Sequence, residues 1–186
     1  SGKLAKGRMV TGWVTFHGPV ITTLASPSIE TDVEACLAAA RGEIHRVHFE
    51  PNGSDSILEG PIYGGNLTVL ASTLGTNEGP LPYPDAIWLI EDIGEAPYRL
   101  DRSFWQLKSS GLFQEANALW FGDLDLPLDE HHATIERLGY DADIETIRNA
   151  PAGHRGPLAL IPIGLPLKIN PEAGRLSSST PWVVIP

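Results

Sequence analysis

Residues 87–90, Ile-Trp-Leu-Ile, form an unbroken apolar run that ends abruptly in charge. Leu89–Arg102 holds four carboxylates (Glu91, Asp92, Glu95, Asp101) and two arginines (Arg99, Arg102). A short apolar run bounded by turn residues reads as a buried strand, and Pro80, Pro82 and Pro84 mark the loop before it. A strand that ends in carboxylates delivers charge to the edge of a sheet, where chemistry often sits. The rest of the chain must build a fold that covers this strand and leaves its end open.

Other segments supply the pieces. Residues 9–16 read as a strand rich in β-branched and aromatic side chains, broken by His17-Gly18-Pro19, and residues 20–30 as a connector. Thr31-Asp32-Val33-Glu34 has the form of a capping box, opening a helix to about Arg41 with Gly42 as its stop. Val33, Cys36, Leu37 and Ala40 are expected to form its buried stripe. Ile44–Phe49 reads as a strand. Asn66 is the expected N-cap of a helix with Leu67, Leu70 and Leu74 on one face. A further helix is expected after Asp101, burying Leu100, Phe104 and Leu107. Ala118–Phe121 reads as a strand and Asp129–Leu138 as a helix.

From Leu158 to Ile185 short apolar pieces alternate with Pro and Gly, as in strands of a barrel-like sheet. No regular βαβ rhythm stands out. The expected class is α/β, with α+β as its variant: a mixed, partly barrel-like sheet with flanking helices. Trp88, Trp105, Trp120 and Trp182 are expected in the core.

Composition narrows the partners. The chain has 186 residues, 42% hydrophobic and 19% charged, which suits a packed core. Thirteen basic residues against 23 acidic ones give a formal charge of −10, which disfavours nucleic acid and anionic membranes. Cys36 is the single cysteine, so no intramolecular disulfide can form. No apolar run is long enough to span a bilayer. The single cysteine favours a reducing compartment.

Glu91 and His154 are the leading chemical pair. Amide hydrolysis by serine needs a base for the hydroxyl proton and a carboxylate to orient that base. His154 lies in the glycine-flanked loop Ala152–Leu158, which can present an imidazole to a cleft. Residue types alone leave the plainer alternative open, a surface histidine and a capping glutamate. Gly64, Gly65 and Asn66, at a helix start, are a second candidate, with free amides suited to a substrate carboxylate. A tight packing turn is the equal alternative. Arg99 and Arg102 are expected to pair with Asp92, Glu95 or Asp101. Asp123, Asp125, Asp129, Glu130, His131 and His132 read as an acidic helix start with a solvated face, since adjacent histidines lack the i, i+4 spacing of helical zinc ligands.

Four motifs occur in order: His17-Gly18-Pro19, Gly64-Gly65-Asn66-Leu67, Glu91 through Arg102, and Gly153-His154 leading to Pro162-Ile163-Gly164. Together they resemble the LD-carboxypeptidases, the serine peptidase family that includes the microcin-immunity peptidases. The resemblance implies a Ser-His-Glu triad assembled across two domains, with Glu91 orienting and His154 as the base. It implies removal of terminal D-alanine from a murein tetrapeptide in bacterial peptidoglycan recycling, without cofactor or metal. A homodimer is also implied. The alternatives are a microcin-immunity-type peptidase acting on aminoacyl-adenylate analogues, and a non-catalytic muropeptide-binding module.

The family's nucleophile sits in a G-x-S-D elbow upstream of His-Gly-Pro, and no such elbow occurs here. The expectation is a C-terminal part of a longer hydrolase, inactive alone, whose serine comes from another segment or chain. Residues 1–25 are then a remnant of the nucleophile domain, 26–50 a connector, and 51–186 the domain carrying Glu91 and His154. Ser1 as a self-cleaved nucleophile is the remaining option, with no surrounding motif to support it.

Overall fold

The computed structural model describes residues 14–24, 33–43, 46–52 and 54–182. Ser1, Trp13, the Thr31 cap and most of the first expected strand lie outside them.

The elements, in chain order, are β1 (Thr15–His17), α1 (Ile21–Leu24), α2 (Val33–Ala40), β2 (Arg46–His48), β3 (Leu58–Asn66), α3 (Leu67–Ser72), β4 (Ile87–Glu91), α4 (Pro97–Ser109), β5 (Ala118–Phe121), α5 (Leu128–Ala142), β6 (Thr146–Ile147), β7 (Ile161–Ile163), β8 (Pro166–Asn170) and β9 (Arg175–Ser177). Seven strands form one mixed sheet, in the order β2-β9-β8-β3-β4-β5-β6, while β1 and β7 form a separate antiparallel pair.

One half of the sheet is parallel. β3, β4, β5 and β6 pair in that direction, each joined to the next through a helix. The chain therefore does carry a βαβ rhythm from residue 58 to 147, contrary to the sequence expectation. Its first strand is disguised: β3 contains Gly60, Pro61, Gly64 and Gly65, residues that weaken a strand pattern. Pro61 falls where β3 changes partner. Leu58–Pro61 pair with β8 antiparallel, and Ile62–Asn66 pair with β4 parallel.

The tail does not make the expected barrel. β8 and β9 form an antiparallel hairpin that widens the sheet, and no closed barrel exists among the described residues. Short strands punctuated by Pro and Gly look the same from sequence in either arrangement.

β4 is buried at all five positions and β5 at all four, as a strand covered on both faces requires. Helix α4 begins at Pro97, earlier than expected, because proline at the first helical position lacks only an amide that would be unpaired anyway. Leu100, Phe104 and Leu107 are fully buried, worth about 2 kcal/mol each by area.

Trp88, Trp120 and Trp182 are buried, but Trp105 is 43% exposed and lies under the Lys108 ammonium, 4.4 Å from its ring centre. It sits off the buried stripe of α4. In α2 the expected stripe is rotated: Val33 and Leu37 are about half exposed, and Ala38 and Ala39 are buried. Alanines surround that helix, so its sequence marks no single inner face. No helix among the described residues is long and apolar enough to cross a membrane.

Candidate functional site

Parallel strands end together, and the loops beyond β4, β5 and β6 are stitched into one edge. The Gly122 amide donates to the Ile90 carbonyl and that of Asp92 to the Asp123 carbonyl, at 2.9 and 3.0 Å. The Asp123 amide donates to the Ala152 carbonyl at 2.9 Å. The loop carrying His154 is thereby fastened to the ends of β5 and β4. Gly153 makes this approach feasible. Its φ is +140°, and a Cβ there would lie 2.7 Å from Asp123 Cβ.

The result brings His154 to Glu91. His154 Nε2 lies 3.4 Å from Glu91 Oε2, with Glu91 2% exposed and His154 47% exposed on its solvent side. The contact does not meet hydrogen-bond geometry, so Glu91 Oε2 is buried with no hydrogen-bond partner among the described residues. Catalytic contacts are often loose before substrate binds. Burial is the main cause that pushes the Glu91 carboxyl up to about 7, with Asp92 and then Asp123 adding repulsion.

A cavity of about 650 Å³ opens at this edge and includes His17, Gly64, Gly65, Asn66, Glu91 and His154 in its lining. All five sequence-nominated residues therefore border one space. Gly64, Gly65 and Asn66 are the end of β3 rather than a separate turn. Gly64 has φ +124°, and a Cβ there would lie 2.0 Å from the Leu89 carbonyl oxygen, so its bareness serves the β3–β4 approach.

Asn66 caps α3 as expected, its side-chain oxygen accepting from Val69 N at 3.0 Å. Its Nδ2 donates to Asp92 Oδ1 at 2.8 Å. Thr68 gives both its amide and its hydroxyl to Asp92 Oδ2, at 3.0 and 2.8 Å. The Thr68 and Val69 amides at the start of α3 are thus already engaged inside the protein.

Asp92, expected as an ion-pair partner of Arg99 or Arg102, is buried and instead binds Asn66, Thr68 and Ile93. Arg155, which the sequence did not nominate, ties down the loop of His154. Arg155 bridges to Asp123 at 3.3 Å and to Asp125, anchoring the residue after His154. The only sequence signal for Arg155 is adjacency to His154. Arg99 pairs with Glu95 at 3.4 Å, among the partners expected for it. Asp123 and Asp125 are held by Arg155, and His131 Nε2 contacts the Gly122 carbonyl at 3.0 Å, so this acidic segment braces the site's edge.

Residues 59–169 match the model of the LD-carboxypeptidase C-terminal domain. A putative carboxypeptidase of Synechocystis sp. is 32% identical over 178 residues, 89% of this chain and 57% of the relative. A murein tetrapeptide carboxypeptidase of Pseudomonas aeruginosa is 34% identical over 158 residues, 77% of this chain and 52% of the relative. The chain thus spans about half the length of the curated relatives it matches. Among solved structures, a muramoyltetrapeptide carboxypeptidase from Oxalobacter formigenes superposes with TM-score 0.77 at 25% identity, covering 94% of this chain and 64% of that one. The microcin C7 self-immunity protein in complex with aspartyl sulfamoyl adenosine superposes with TM-score 0.76 at 18% identity, covering 98% and 66%, a likeness of fold.

Proposed function

Because this chain belongs to the LD-carboxypeptidase family, we propose that it supplies the orienting carboxylate, Glu91, and the general base, His154, of a serine-type carboxypeptidase. The observation that carries this reading is the 3.4 Å approach of His154 Nε2 to a buried Glu91 oxygen that has no hydrogen-bond partner among the described residues. The serine is supplied by a segment or chain outside this one, and the substrate is a murein peptide ending in a D-amino acid.

With Nε2 turned to Glu91, Nδ1 is the nitrogen left to take the serine proton. The serine oxygen then adds to the scissile carbonyl. His154 passes the proton to the leaving amine, the C–N bond breaks, and the D-amino acid departs. Water, deprotonated in turn by His154, releases the acyl group. Glu91 holds the imidazole in one tautomer and faces the positive charge that His154 gains. That charge favours the carboxylate form of a group whose burial otherwise favours the acid.

Gly64 and Gly65 line the cavity, and the substrate's peptide backbone runs past them. Asn66 acts there through shape, since its amide is bound to Asp92 and Val69. In this reading the complete protein works in the cytoplasm, in peptidoglycan recycling, as a homodimer.

The test is release of D-alanine from murein tetrapeptide by the full-length protein. Glu91→Ala and His154→Ala should each lower kcat by a thousandfold or more, the order seen when a triad member is removed. Near-normal turnover by both would remove these residues from the mechanism.

A further inference from the structure

His17 ends β1, the strand that pairs antiparallel with β7, with His17 opposite Ile161. It lines the same cavity as Glu91 and His154. Asn66 and Thr68, which also border the cavity, have their donors on Asp92, and Thr23 donates its hydroxyl to the Val20 carbonyl at 2.7 Å. The His17 ring, mostly buried, makes no hydrogen bond among the described residues. A mostly buried polar group facing a cavity with unused donor capacity is prepared for a partner that is not part of the protein.

We propose that His17 is a substrate-binding residue whose ring N–H donates to the terminal carboxylate of the D-amino acid. This inference rests on the hydrolase reading above. In such a substrate the terminal carboxylate lies three bonds from the carbon under attack, about 3–4 Å away. A group that holds it must therefore share the cavity of the base, as His17 does.

The identity of the donor matters. A lysine or arginine here would attract the carboxylate, but its permanent charge would oppose the positive charge that His154 acquires. A neutral imidazole gives a directional hydrogen bond without that opposition. Burial, and then the proximity of His154, push His17 down to about 4, so it is uncharged at neutral pH.

The experiment compares two substrates in the full-length protein, murein tetrapeptide with a free terminal carboxylate and the same peptide with a terminal carboxamide. The parent protein should prefer the free acid. His17→Ala should raise KM for the acid about tenfold, the equivalent of about 1.4 kcal/mol. The loss should fall on KM rather than kcat, and the acid-over-amide preference should collapse towards one. His17→Gln, which keeps an N–H donor, should restore part of both; it also carries the test if the alanine variant fails to fold. Unchanged KM and unchanged preference would overturn the proposal, as would a fall in kcat with the preference intact.

His154→Ala run alongside separates the two readings. If it still turns over, the hydrolase reading fails. If it is dead while His17→Ala behaves as the parent, only the role of His17 fails. No release of D-alanine by the parent protein overturns both.

Discussion

Arg155 reaches back across the site edge to Asp123, with Nε 3.3 Å from Oδ2, and ties the loop bearing His154 to the end of β5. A second contact from the same guanidinium goes to Asp125, whose own carboxylate accepts the Gly94 amide at 3.1 Å. The loop that carries His154 is thereby held by the residue next to it.

Arg155→Ala should show what that tether does. The side chain is well exposed, so its loss should change stability by less than about 1 kcal/mol. A base displaced by a fraction of an ångström loses rate steeply, so kcat for D-alanine release should fall about tenfold or more with KM little changed. Thermal unfolding and steady-state kinetics on the same preparation separate the two effects. An unchanged kcat would mean that backbone stitching alone places His154.

The pH dependence of stability should carry the mark of Glu91. Its carboxyl is raised from 4.5 to about 7, chiefly by burial. Between those values the folded chain keeps a proton that the unfolded chain releases, so rising pH removes stability, and the loss is complete above about 7. Glu91→Gln stays neutral throughout. Its stability relative to the parent should be near zero at pH 4.5 and grow to as much as about 3 kcal/mol in its favour at pH 8. His17 runs the other way. Its imidazole is lowered from 6.5 to about 4, so stability is lost as pH falls through that window, and His17→Gln should flatten the acid side. Denaturant midpoints across pH 4–8 check both signs; a Glu91→Gln difference independent of pH would refute the burial argument.

Asp92 fixes the entry to α3 through acceptors only. Asp92→Asn keeps one acceptor oxygen and sets an amide donor either against the Thr68 amide and hydroxyl or against the Asn66 and Ile93 amides. A cost of about 2–3 kcal/mol is expected, because buried donors lose their acceptor. Urea unfolding measures it, and a cost under about 0.5 kcal/mol would show that the network is dispensable.

Gly64 and Gly75 make a matched comparison. Both have positive φ, but a Cβ at Gly64 would lie 2.0 Å from a backbone oxygen of β4, whereas at Gly75 nothing lies within 4 Å. Gly75→Ala should cost about 1 kcal/mol, from conformation alone. Gly64→Ala adds a backbone collision within the sheet and should cost at least about 3 kcal/mol, seen as a large fall in melting temperature. Equal costs would mean that β3 and β4 can part without penalty.

Much of the site was readable before the fold. Glu91 announced itself because an apolar run stopped at a carboxylate, and it occupies the last position of β4. Asn66 is the cap that its spacing implied. β3 was not readable, since Gly60, Pro61, Gly64 and Gly65 erase the pattern by which strands are recognised. Those glycines answer to close backbone neighbours: Gly60 to the Asp85 carbonyl, Gly64 to that of Leu89. Trp105 and the α2 stripe were misread for a related reason, because hydrophobicity gives a tendency to be buried and the available neighbours decide which face receives cover.

By itself the sequence determined the local events: where a buried strand ends in charge, where a helix is capped, which glycines punctuate a loop. These depend on residues a few positions apart, whose interactions survive in any fold that keeps them. Motif resemblance had already joined His154 to Glu91, but the tertiary structure alone decided their 3.4 Å approach, that Arg155 is tied to Asp123, and that His17 enters the same cavity. Such pairs are far apart along the chain and acquire a common space only when parallel strands align their ends and the loops beyond them hydrogen-bond into one edge.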